Sequence, residues 1–202
     1  MPETTERILI TGHPRSGTKF TAKMLKRMGY PTSYEGHLLG SKTRFVSSWK
    51  HAMPGVFEYR FFRTMALDQD FARVIHQVRH PLKVIASSTT LFDLTIDHIK
   101  KYVDIPEPTV HKHQPLKLCM RSWIGWNRLI EEKADWRFRL EELRDIFPEF
   151  CRQLGIPEQP MPTMGKRNAR RHGDFTWDDL YREDEALASE VREMARRYGY
   201  ED

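Results

Sequence analysis

The stretch from Arg7 to Phe20, RILITGHPRSGTKF, constrains the chain more than any other. Its apolar run Ile8-Leu9-Ile10 enters a turn-forming segment with Gly12, Pro14 and Gly17, after which Phe20, Met24, Leu25 and Met28 recur at helical spacing. The pattern predicts strand, tight loop, helix. Such a loop presents successive backbone N–H groups, and the helix behind it adds unpaired amides and the positive end of its dipole. Glycine lets an anion approach closely, Ser16 and Thr18 supply hydroxyl donors, and Arg15 and Lys19 supply charge. A phosphorylated ligand is the expected occupant. The bland alternative is a structural turn with Arg15 and Lys19 as solvated charges.

Gly12 and Gly17 have the separation of an NTP-binding GxxxxGK[ST] loop, but Thr18 then precedes Lys19. The inversion counts against a lysine on the outer phosphates followed by a hydroxyl on Mg²⁺. As written, GHPRSGT resembles the 5′-phosphosulfate loop of sulfotransferases that use 3′-phosphoadenosine 5′-phosphosulfate (PAPS). That loop carries Pro, Lys or Arg, Ser, Gly and Thr in this order.

A chain of 202 residues, 39% hydrophobic and 30% charged, suits one α/β unit with a single sizeable core, residues 1–202, with a flexible N-terminal stretch at 1–6. The net charge of +5 favours anionic ligands without choosing between a nucleotide, nucleic acid, an acidic acceptor or a membrane surface. No apolar run reaches the roughly 20 residues of a membrane span, and the first residues do not read as a secretory signal, so a cytoplasmic location is the default. Cys119 and Cys151 form no local metal motif and read as core or helix-face residues. His111 and His113, an i,i+2 pair without further ligands, do not make a metal site.

Along the chain, Gly29-Tyr30-Pro31 ends the first helix, residues 32–37 read as strand edge or loop, and Phe45 to Trp49 as a short strand. Phe57 to Leu67 reads as an irregular helix or a lid. Val74 to Val78 reads as a buried strand, with Pro81 opening a helix whose stripe runs through Leu82, Ile85, Ser88, Thr89 and Phe92. Asp93 to Gln114 reads as a polar excursion over an acceptor pocket. A helix on Leu116, Met120, Trp123, Ile124 and Ile130 follows, then a strand from Trp136 to Leu140. Glu141-Glu142 leads into a local helix, Phe147 to Leu154 forms a stripe stopped by Gly155 and Pro157, and a last helix carries Leu187, Val191, Met194, Ala195 and Tyr198. Alternating strands and helices imply a three-layer α/β fold with a parallel sheet.

Two further segments extend the resemblance. RHPLKVIAS is similar to the sulfotransferase 3′-phosphate segment, with Arg79 and Ser87 at its arginine and serine. The alternative for that pair is a structural salt bridge and a helix-surface serine. KRNARRHGDFTWDD, from Lys166 to Asp179, partly resembles the loop that closes over the 3′ phosphate, with Arg170 and Arg171 as phosphate ligands and the usual Arg-Lys-Gly and Gly-Asp-Trp altered. A nonspecific basic surface is the competing account. Trp126-Asn127 also resembles an aromatic-Asn segment of that family, although core packing explains both tryptophans of this helix first.

What the resemblance implies is a P-loop-NTPase-like sheet and transfer of a sulfonate from PAPS to a hydroxyl or amine acceptor, releasing PAP. Pro14, Arg15, Ser16, Gly17, Thr18 and Lys19 would hold the 5′ end, Arg15 would also stabilise the transferring sulfonate, and Arg79, Ser87, Arg170 and Arg171 would take the 3′ phosphate. Glu35 is the implied base, with His37 its local competitor and Asp93 and His98 weaker candidates; a surface Glu35 in an ion pair is the alternative. No dedicated metal or nucleic-acid partner is implied, and the acceptor and any homo-oligomer stay open. Two other classes compete: a P-loop nucleotide or small-molecule kinase, and a basic nucleic-acid-binding module acting through Lys166, Arg167, Arg170 and Arg171.

Overall fold

The computed structural model describes residues 6–34, 43–53, 55–59, 63–67, 71–165 and 173–200, with backbone alone for 55–59 and 63–67. Strand β1 (Ile8–Thr11) is buried along its whole length, the signature of a strand covered on both faces. It pairs in parallel with β3 (Phe45–Ser47) on one side and β6 (Arg73–Val78) on the other. With β2 (Thr32–Ser33) beyond β3 and β7 (Trp136–Arg139) beyond β6, the parallel sheet has five strands in the order β2-β3-β1-β6-β7.

Helices flank both faces. Ile8, Ile10, Ile75 and Phe138 pack under Met24 and Leu25 of α1 (Thr18–Arg27) and under Phe147 and Phe150 of α5 (Phe147–Gln153). The opposite face, including Val78, lies against α2 (Pro81–Ser88), α3 (Asp93–Lys100), α4 (Leu116–Glu131), α6 (Trp177–Glu183) and α7 (Glu185–Arg197). Burying one side chain such as Leu25 or Phe150 contributes about 1.5–3 kcal/mol, so these two layers dominate stability. Lys26 and Arg27 sit in the last turn of α1, where they complement the helix dipole. Cys119 and Cys151 are both buried and unpaired with each other. Among the described residues, no helix is long and apolar enough to cross a membrane.

Four expectations need correction. β4 (Gly55–Tyr59) and β5 (Arg63–Leu67) pair as an antiparallel two-stranded sheet where a helix was one expectation. Their aromatic content suits a pleated strand, and no helix cap precedes them. The helical stripe expected to reach Phe92 stops at Ser88, and Phe92 is 59% exposed. The supposed polar excursion begins with α3, whose Ile96 and Ile99 enter the core although a helix this short shows little periodicity. Glu141-Glu142 belongs to a single 3₁₀ turn, Leu140–Glu142. A helix absent from the sequence reading, α6, is started by a capping box in which Thr176 and Asp179 exchange side-chain to backbone bonds.

Candidate anion-binding site

From β1 the chain passes through α1 toward β2 and β3, whereas from β6 it passes through α2, α3 and α4 to β7 on the other side. β1 and β6 are neighbours whose connections leave in opposite directions. That is the switch point at which open parallel sheets form a crevice beyond their carboxyl ends. Gly12 to Gly17 follow β1 there, and Arg79 follows β6.

The loop closes through a bond from Ser16 N to His13 O of 2.9 Å. Pro14 at the second position and a φ of 76° at Arg15 in the third fit a type II turn, which ordinarily has glycine or asparagine in that third place. Holding arginine in this left-handed region costs about 1 kcal/mol. Two contacts offset it: Arg79 Nη1 donates to the Arg15 carbonyl at 3.2 Å, and Arg15 Nη2 donates to the Thr90 carbonyl at 3.2 Å. Gly12 is required by close approach, since a Cβ there would lie 2.1 Å from the Gln77 carbonyl oxygen. Gly17 has φ 102°, and its Cβ would meet Leu140 at 2.5 Å. Both positions exclude alanine without rearrangement.

Gln77 binds loop and helix together, a role its place inside an apolar strand hinted at but did not specify. Its Nε2 donates to Ser16 O at 2.8 Å, and its Oε1 accepts from Thr21 Oγ1 at 2.7 Å. Ser47 Oγ, at the end of β3, donates to Thr18 O at 2.8 Å. On the β7 side, Glu141 accepts from the His80 backbone N–H at 3.2 Å and from the Tyr200 hydroxyl at 2.9 Å, which fixes the start of α2 next to Arg79. Burial and the Glu141 carboxylate push the Tyr200 phenol well above its ordinary range.

Of the residues expected at the site, Pro14, Arg15, Ser16, Gly17, Thr18 and Arg79 are brought together here. Ser87 is buried on the last turn of α2, and its carbonyl accepts from Thr90 Oγ1 at 2.9 Å. Lys19 instead is exposed, its ammonium 5.8 Å from the Tyr34 ring centroid. Glu35, His37, Arg170 and Arg171 lie outside the described residues. Asp93 bonds to His111 and Gln114, and His98 sits in an aromatic cluster with Trp49, Tyr102 and Trp126. Asn127 accepts from His76 Nε2 at 2.9 Å, joining α4 to β6, and burial lowers the His76 pKa to about 4.

The loop suits a phosphate group chemically. Ser16 Oγ is buried and has no hydrogen-bond partner among the described residues, which is costly unless a ligand or water supplies one. A cavity of about 550 Å³ is lined by Thr90 together with Thr89, His113, Gln114, Leu116, Gly173 and Phe175. Gly173, which lines it, is the first described residue after the basic stretch of the sequence. Compared with known proteins, the chain matches no family model, no curated protein and no solved structure.

Proposed function

We propose that this protein is a sulfotransferase that moves a sulfonate from PAPS to a hydroxyl or amine acceptor and releases PAP. The observation that carries the reading is the contact between Arg79 and the Arg15 carbonyl, because two segments read independently as 5′- and 3′-phosphate sites lie side by side. The parallel sheet with its loop at the switch point also supports reading the fold as P-loop-NTPase-like.

In the reaction, the acceptor oxygen or nitrogen attacks sulfur as the bond from sulfur to the 5′-phosphate oxygen breaks. The acceptor proton passes to a base, Glu35 on this reading with His37 its competitor, and the bond's electron pair leaves on PAP. Arg15 and the loop amides stabilise the charge that builds on the sulfonate and bridging oxygens. Arg79 orients the nucleotide by a forked pair of donors, with Ser87 and the basic stretch containing Arg170 and Arg171 completing the 3′ site. The acceptor enters by the cavity lined by Thr90, the residue whose carbonyl accepts from Arg15 Nη2.

Transfer from PAPS is expected to persist in excess EDTA. The Thr18-Lys19 order does not supply the hydroxyl after lysine that places Mg²⁺ in nucleotide hydrolases, and the Arg15 guanidinium carries charge of its own. A broad panel of alcohols, phenols and amines assayed with PAPS, with and without EDTA, checks this. Turnover abolished by EDTA and restored by Mg²⁺ alone, with folding unchanged, would favour the kinase reading instead.

A further inference from the structure

The phosphate loop contains an imidazole that the transfer reaction does not use. His13 is 1% exposed, with Nδ1 2.6 Å from the Pro14 carbonyl and Nε2 2.7 Å from the Ser122 hydroxyl. A proline carbonyl only accepts, so Nδ1 carries the proton and Nε2 accepts from Ser122. Burial holds the ring's pKa down to about 3, opposed by the Pro14 bond and assisted by the Arg15 charge. The ring is therefore neutral at pH 7, and its two bonds run in one fixed sense.

The Pro14 carbonyl is the group whose direction defines this turn. A type II turn differs from the commoner type I by a flip of the peptide between its two central residues, here Pro14 and Arg15. In type I the third residue has negative φ, the region arginine prefers, so the loop has a reason to flip. Flipping would reverse both the Pro14 C=O and the Arg15 N–H. The bond from His13 Nδ1 opposes it, and Ser122 anchors the ring to α4, a helix whose Trp123, Trp126 and Asn127 are buried.

We propose that His13 is a positioning residue that holds the Pro14–Arg15 peptide in its anion-binding orientation, with Ser122 as its anchor. The proposal rests on reading this loop as the seat of the 5′ phosphate. Its consequence is selective: losing His13 weakens every ligand that uses the loop alike, whereas losing Arg79 weakens those with a 3′ phosphate most.

The test is calorimetry on the whole chain with PAP, AMP and inorganic pyrophosphate. His13→Ala is expected to weaken all three about tenfold or more and to leave the ratio of PAP to AMP affinity as in the wild type. His13→Asn, whose amide reaches the Nδ1 position, should recover most of the loss. His13→Gln, whose amide lies near the Nε2 position, should not, and Ser122→Ala should produce a smaller loss of the same kind. Unchanged affinities in folded His13→Ala, a changed PAP to AMP ratio, or His13→Gln binding as well as His13→Asn would each overturn the role. If His13→Ala does not fold, the Asn and Gln pair decides it. Should the wild type bind pyrophosphate but not prefer PAP, the sulfotransferase reading fails while the pyrophosphate series still judges His13. Wild-type protein that binds none of the three ligands overturns both.

Discussion

Arg15→Asn is expected to reduce sulfonate transfer at saturating PAPS and acceptor by roughly 10²- to 10³-fold, the cost of removing one preorganised donor from a developing negative charge. Asparagine is the informative replacement because it tolerates the left-handed backbone at φ 76°, whereas most side chains would add strain to the loss of charge. The loop amides remain, so PAP should bind the variant more weakly but measurably. Single-turnover rates at saturation separate the two effects. A saturated rate within a few-fold of wild type would assign Arg15 to nucleotide binding alone.

Glu35→Gln is expected to depress turnover about 100-fold, the usual scale for removing a well-placed general base, with PAP affinity largely retained. Glutamine keeps the size and hydrogen-bonding reach of the side chain but cannot take a proton. His37→Asn should have a smaller effect. If Glu35→Gln stays close to wild type at saturating acceptor while His37→Asn loses turnover with fold and PAP affinity intact, the imidazole is the base. A negligible effect of both changes would remove this segment from the chemistry and direct attention to the wall of the cavity lined by Thr90.

The elements that frame the site were legible because their signals are local. An apolar run ending in Gly12 and a stripe beginning after Gly17 define β1, loop and α1, and Pro81 marks the start of α2 just beyond β6. The contacts that tune the site were not legible, because they join residues far apart: His13 to Ser122 across 109 positions and Gln77 to Ser16 across 61. A serine in the middle of an amphipathic helix carries no mark of what lies opposite it. Gln77 and His76 did leave a trace as polar residues within an apolar strand, but a buried polar pair announces only that partners exist. The pairing of β4 with β5 was missed because aromatic runs satisfy helix and strand templates alike over so few residues. Arg15 illustrates the limit from the other side: its charge was evident, while its positive φ depended on the turn and on its hydrogen-bonded surroundings.

The most direct test of the central claim is the affinity of the wild-type chain for PAP, AMP and ATP under one set of conditions, followed by the same series for Arg79→Ala. A charged hydrogen-bonded phosphate contact contributes about 1.5–3 kcal/mol, so PAP is expected to bind roughly 10- to 100-fold more tightly than AMP, and more tightly than ATP. Arg79→Ala should remove most of the advantage of PAP over AMP while changing ATP less. PAP binding no more tightly than AMP to folded protein, with the ligand verified intact, would contradict the account.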